Sequence, residues 1–312
     1  TKMKKIKKCM ALFTVGIFCL AQTCYPYNKE IKAEEKEYTI SENSSLVQNG
    51  LVERKKKMSL EEYSEMKNFE KIEKSYREKV LQYETKGYIL DMSLEEYAQN
   101  YSNKAFDFSK FLIKKTDNEN SNQQIAMYIS SGGGSTYYYN TGTSRPSSCN
   151  YSKYYLLSRI KQGDIFHEAT GGKGITGHVG IVEGKFYTSK GYYIRVIEAT
   201  PAYGVKRGVL DDTRVDERAI SVWRVNTKDA IRKKAVNFAI SQLNKGYDLD
   251  IRRKGHAANQ KEWYCSELVW AAYYVNGLNI ETSPGEPGVT PRDITSYSSS
   301  TYSINVTSYS TK

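Results

Sequence analysis

Histidine is scarce in this chain of 312 residues, with three copies at His167, His178 and His256. Cysteine is nearly as sparse: there are five, and Cys9, Cys19 and Cys24 all precede residue 25, leaving Cys149 and Cys265. Neither Cys-x-x-Cys nor His-x-x-x-His spacing occurs, which excludes the usual zinc frameworks. A zinc enzyme built on His167 and His178 lacks a convincing third ligand. Past the N-terminus no apolar run approaches 18 residues, the length expected of a membrane-crossing helix. Charge of one sign is not concentrated either. The formal net charge is +11, but the first 33 residues hold seven Lys and one Glu, so 39 basic and 34 acidic residues remain. That mild excess suits an anionic cell envelope as well as nucleic acid, and no nucleic-acid partner is expected from it. A composition of 39% hydrophobic and 26% charged residues fits a soluble globular protein.

The first 33 residues read as an export signal. Met3 is a plausible start, "KKIKK" a charged n-region and "CMALFTVGIFCLA" an apolar h-region too short for a comfortable span. Cleavage is expected after Ala33, with Ala21 the runner-up, giving a secreted or envelope-associated protein with no stable membrane span. The mature chain then keeps Cys149 and Cys265, which in an exporting compartment are free to form one disulfide.

Residues 34–129 are polar and helical in pattern, with no chemistry of their own. "MSLEEY" at Met58–Tyr63 recurs at Met92–Tyr97. Ser59 with Glu62 and Ser93 with Glu96 have capping-box spacing, so both copies read as helix starts, in a helical hairpin or a pair of them. Residues 130–152 are rich in Gly, Ser and Tyr and read as a linker, in which "STYYY" is a possible edge strand. In residues 153–312, "GDIFHEA", "HVGIVEG", "YYIRVIEAT" and "AISVWRV" read as strands. A helix is expected from Asn226 or Thr227 to about Lys245, stopped by Gly246. A second begins near Cys265, and "YSINVTSY" is a possible last strand. Strands followed by helices indicate an α+β domain.

Cys265 opens "CSELVWAAYYVNG", a helix-length apolar run closed by Gly277. A thiol in the first turn faces unpaired N–H groups and the positive end of the helix dipole, which favour the thiolate. The same N–H groups suit the oxyanion of a tetrahedral intermediate. This position argues for a free nucleophile rather than a disulfide. A Cys nucleophile needs an imidazole. His178 opens "HVGIVEG", whose alternation sets His178, Gly180 and Val182 on one face, after the flexible loop "GGKGITG". That loop lacks the Gly-Lys-Ser/Thr ending of a phosphate cradle. His167 and His256 read as ordinary. The base needs an orienter on its other nitrogen, and Glu198, among Val196, Ile197 and Ala199, is the best candidate: a carboxylate in such a stretch must find a partner.

In that order, "QGDIF", "GHVGIVEG", "VIEAT" and "YCSELVWAAY" resemble the permuted branch of the papain-like amidases, the YiiX/YycO-type relatives of NlpC-type cell-wall hydrolases. The resemblance spans roughly Lys161–Asp293. It implies a circularly permuted papain-like fold, an antiparallel sheet with a buried Cys helix, and no metal or organic cofactor. Cys265 matches the nucleophile, His178 the base and Glu198 the third residue. "GYDLD" at Gly246–Asp250 resembles the Gly/Tyr/Asp stretch ahead of the nucleophile, so Tyr247 or Tyr264 is expected to line the site or aid the oxyanion hole. The expected function is an exported cysteine amidase or peptidase acting on a peptide-like amide, with peptidoglycan stem peptide a natural substrate. The alternatives are an acyltransferase or lipid deacylase using the same site, and a non-catalytic surface-binding protein. Sequencing the N-terminus of secreted material is expected to begin at Glu34; a start before residue 20, or a full-length chain retained on the membrane, contradicts the leader.

Overall fold

The computed structural model describes residues 60–115, 149–170 and 177–307. The expected leader, nearly all of the expected linker with its "STYYY" strand, and Ser59 of the first repeat lie outside them. Six antiparallel strands form the main sheet: β3 (Ile165–Glu168), β4 (His178–Thr188), β5 (Gly191–Thr200), β6 (Gly204–Leu210), β7 (Ile220–Val225) and β8 (Thr301–Ile304), in the order β6-β5-β4-β3-β7-β8. The four strands expected from alternating apolar residues are present, and the C-terminal strand is β8. Strand β6 ("GVKRGVL") was not anticipated, because Lys206 and Arg207 disguise its alternation.

Each face of the sheet carries its own apolar cluster. On one, Ile165, Val179, Ile181 and Ile197 pack against α5 (Asp229–Ser241) and α6 (Cys265–Tyr274). On the other, Phe166, Val182, Ile194 and Val196 meet α1 (Leu60–Thr85), α2 (Leu94–Asn100) and α3 (Leu156–Arg159). Between α1 and α2 runs β1 (Tyr88–Leu90), paired antiparallel with β2 (Leu112–Lys114). Residues 60–115 are therefore not the expected helical hairpins. Gly87, at φ +77°, turns the chain out of α1 into a strand that pairs with β2. At the second copy of the repeat the serine half of the expected capping box is present: Ser93 Oγ accepts from Glu96 N at 3.1 Å.

This N-terminal layer is bonded into the sheet. Arg195 donates to both Glu183 oxygens at 2.6 and 2.7 Å and to Asp91 Oδ1 at 2.7 Å. Tyr192 donates to Glu73, and Glu95 accepts from the Lys185 amide. Breaking one partner of such a buried ion pair strands the other charge, so the layer and the sheet hold each other in register.

Two further elements frame the site. The helix expected to reach Lys245 ends at Ser241. Asn244 takes φ +68°, and its amide donates to Val205 O while Val205 N donates to Lys245 O, so the chain leaves the helix to join β6. Helix α4 (Asp212–Arg218) is capped by Asp211, whose side chain accepts from Arg214 N at 2.9 Å, and is ended by left-handed Ala219. The last helix is α7 (Pro291–Ile294). Among the described residues no helix is long and apolar enough to cross a membrane.

Met92 is fully buried in the cluster shared by the N-terminal layer and the sheet. Met92→Ala is expected to cost about 2–5 kcal/mol and to lower one melting transition seen alike by far-UV and aromatic signals. A separate early transition, with the main one unmoved, would show the layer to be an independent arm.

Candidate active site

The site begins at the start of β4. Gly177, at φ +72°, leads into the strand; a Cβ there would lie 2.6 Å from His167 Nε2. Strand β5 pairs with β4 so that Ile181 faces Ile197 and Val182 faces Val196. Continuing that register one step sets Glu198 beside Gly180, diagonal to His178. His178 Nε2 and Glu198 Oε2 are 2.7 Å apart. Gly180 has a steric role here: a Cβ would come within 2.5 and 2.7 Å of the Phe166 ring, whose centroid is 6.0 Å from that of His178. The missing side chain leaves the space in which that ring supports the imidazole.

Cys265 is the first residue of α6, which is buried along nine of its ten positions. Glu267 reaches back to the Tyr264 amide at 3.4 Å and accepts from Gly255 N and Gln260 Nε2 at 2.7 and 2.9 Å. It thereby serves the helix terminus and pins the preceding loop. The Cys265 thiol lies within interaction range of His178 and of the Val179 and Ser266 amides, all of which favour its charged form. With Nε2 engaged by Glu198, Nδ1 is the ring nitrogen left to meet the thiol. The three expected residues are thus brought together in the expected order.

Their charges follow from that chain of contacts. Burial by itself would lower the His178 pKa, but the bonds to Cys265 and Glu198 outweigh it and push the imidazole up to about 10. Burial would raise the Cys265 thiol; the bond and charge of His178, with the two amides, bring it below its ordinary value. Burial would also raise Glu198, yet the guanidinium of Arg214 and the bond to His178 hold it well below the usual carboxylate range. Both shifts favour a thiolate beside an imidazolium.

Arg214 was not visible as a site residue in the sequence. It is fully buried and donates to Glu198 Oε1 and Oε2 at 3.0 and 2.8 Å, to Glu168 Oε1 at 2.8 Å and to Val209 O at 3.0 Å. "DDTRVDER" has the composition of a solvated helix, and only its folding against β3 and β5 buries the guanidinium. His256 packs on Trp270 and Tyr274, away from the thiol. His167 is a half-buried neighbour whose pKa is lowered by burial, by Arg292 and by His178. Tyr247 is half-buried against the core cluster that contains Cys265, and its phenol is pushed up by burial and by the Cys265 charge. Tyr264 differs from the expectation of a site-lining hydroxyl: its oxygen accepts from Val289 N at 3.0 Å inside the core. Together with Ser266 Oγ, which donates to Val289 O at 2.7 Å, it moors the 289 segment to both sides of Cys265. Among the described residues no group of three or more His, Cys, Asp or Glu is placed to hold a metal.

Residues 156–284 match the family model described as permuted papain-like amidase enzyme, YaeF/YiiX, C92 family. That span contains Cys265, His178, Glu198 and Arg214, and leaves out the N-terminal layer. Over 108 residues the chain is 28% identical to the uncharacterized protein YycO of Bacillus subtilis (strain 168), covering 34% of this chain and 43% of that protein. The chain thus spans less than half the length of that curated relative. The family resemblance drawn from the motifs is borne out, and the fold is the permuted papain-like α+β arrangement.

Because the folded thiol titrates below its ordinary value, its thiolate persists as pH falls to that lowered pKa. Iodoacetamide is expected to label Cys265 faster than Cys149 and to keep doing so below the range of a free thiol. In His178→Ala the acid limb should move up toward about 8.5, the value of an unperturbed Cys. A Cys149–Cys265 disulfide in non-reducing peptide maps, or matching profiles for the two thiols, would contradict the ion pair.

Proposed function

We propose that the protein is an exported cysteine hydrolase that cleaves a peptide-like amide by acyl transfer through Cys265, His178 and Glu198. One observation carries the reading: His178 stands between Cys265 and Glu198, bonded to Glu198 at 2.7 Å, with the thiol lowered and the imidazole raised. In the first step the Cys265 thiolate attacks the substrate carbonyl carbon, forming a C–S bond and a tetrahedral oxyanion. The Ser266 amide, at the N-terminus of α6 and released as the sulfur loses its charge, is the donor we assign to that oxyanion. His178 Nδ1–H then gives its proton to the leaving amine as the C–N bond breaks, leaving a thioester and neutral imidazole. Water attacks the thioester as His178 takes its proton, and the thiolate departs with the carboxylic acid released. Glu198 keeps the ring oriented and stabilises the imidazolium.

Peptidoglycan stem peptide is the substrate we favour, at the cell envelope, on the strength of the leader-like N-terminus and the amidase description of the matched family. A second reading, deacylation or acyl transfer on a lipid, draws on the loop that follows Tyr247. There Leu249 is 80% exposed and Ile251 49%, beside the exposed Arg252. Aliphatic side chains next to a guanidinium suit the surface of an anionic lipid layer. Mass spectrometry of cell-wall fragments and of phospholipid vesicles after incubation, each beside Cys265→Ala, separates the two.

The pH dependence has a defined sign. Turnover needs thiolate and imidazolium together, so kcat/KM should fall below the lowered Cys265 pKa and again as pH rises through about 10, where His178 loses its proton. On the proposed substrate, Cys265→Ala should abolish turnover and His178→Ala should cost nearly as much. Glu198→Gln should be milder, since the amide can still orient the ring without stabilising its charge. The Cys265/His178 double variant should be no worse than Cys265→Ala alone. Turnover that survives Cys265→Ala would refute the mechanism.

A further inference from the structure

Behind the thiol and imidazole, two carboxylates share one guanidinium. Arg214 reaches both oxygens of Glu198 and also Glu168, with its Nη2 2.7 Å from Glu168 Oε1. Lys206 stands across from Glu198 in the β5–β6 register, 5% exposed. Further titratable neighbours are His167, Tyr247 and Tyr264, with Arg292 acting on His167 and Asp248 on the two phenols. Burial lowers His167 and raises both phenols, so all three are neutral at neutral pH. The set around Glu198 and His178 is then the Cys265 thiol, Glu168 and Glu198 with His178, Arg214 and Lys206.

We propose that Arg214 is a charge-balancing positioning residue, whose single guanidinium offsets Glu168 and Glu198 so that Cys265 and His178 exist as an ion pair. The inference rests on the reading of Cys265 and His178 given above. Without Arg214 two buried carboxylates would face the same imidazolium, and the set would hold an excess negative charge. Surroundings of low polarity remove such an excess by taking up a proton, and of the three anions a thiolate has the highest proton affinity. The thiol would therefore titrate at higher pH. Glu168 is the useful counterpart: its carboxylate is hydrogen-bonded to Arg214, whereas Glu198 also orients His178. Neutralising Glu168 should restore the balance that loss of Arg214 upsets, which a purely steric role for the arginine would not allow.

The test is the pH profile of Cys265 alkylation by iodoacetamide, which requires no knowledge of the substrate. R214M is expected to move the midpoint of the acid limb up by about one pH unit or more. E168Q alone should move it down, and R214M/E168Q should bring it back toward the parent. R214K keeps the charge and should stay near the parent. A folded R214M with the parent profile, a double variant as displaced as R214M, or an R214K as displaced as R214M would each overturn the inference. Should R214M fail to fold, E168Q decides: a limb that stays in place or rises overturns it. An ordinary thiol profile for Cys265 in the parent would instead sink the reading of the site itself, and this inference with it.

Discussion

The carboxylate of Glu198, buried completely and divided between a guanidinium and an imidazole, is the constraint on which the site depends. An ionised carboxylate removed from water is costly unless it is both paired and hydrogen-bonded, and here both oxygens are engaged. Arg214 keeps Glu198 charged, Glu198 favours the protonated form of His178, and protonated His178 favours the thiolate of Cys265. Each group favours the ionised form of the next, up to the sulfur of Cys265. The price of that arrangement is a cluster of buried charge, tolerable only in a rigid setting.

The rigidity comes from the sheet. Antiparallel register, rather than any loop, sets Glu198 diagonal to His178, and the absence of a side chain at Gly180 leaves room for the Phe166 ring beside the imidazole. Helix α6 brings Cys265 to the end of β4 because its apolar length packs on the sheet face formed by Val179, Ile181 and Ile197. The first turn of α6 is anchored by Glu267 and by the bonds of Tyr264 and Ser266 to Val289. The opposite face of the sheet, against which Phe166 lies, is closed by the N-terminal layer. A segment outside the matched family span thus completes the core that carries the His178 strand. Its role includes that packing, whatever else it does.

The strands that carry His178 and Glu198 and the helix that begins at Cys265 could be read from residue order. Alternation of apolar residues dictates a strand, and an apolar run closed by Gly277 dictates a helix, wherever the rest of the chain lies. The choice of Cys265 and His178 was legible for a related reason: with two thiols and three histidines in the body of the chain, few combinations existed, and each chosen residue sits at the start of a regular element. The short strands β1 and β2 were read as helix, since three-residue strands leave little alternation to see.

What only the tertiary structure decided are the residues whose meaning depends on partners distant in sequence. Arg214 looks solvated in "DDTRVDER" and is buried by the meeting of α4 with β3 and β5. Lys206 and Arg207 hid β6, and α5 ends short of Lys245 because Asn244 and Lys245 bond to Val205 instead. Tyr264 and Tyr247 stand alike beside "GYDLD" and "YCSEL", yet one hydroxyl is spent on Val289 and the other ring lies half-buried against the core cluster that holds Cys265. The sequence by itself determined the periodic elements and the chemistry each could carry, because periodicity and residue type are local. Burial, ion pairing and the direction of each pKa shift arise from which elements meet, and that meeting is settled by packing the whole chain at once.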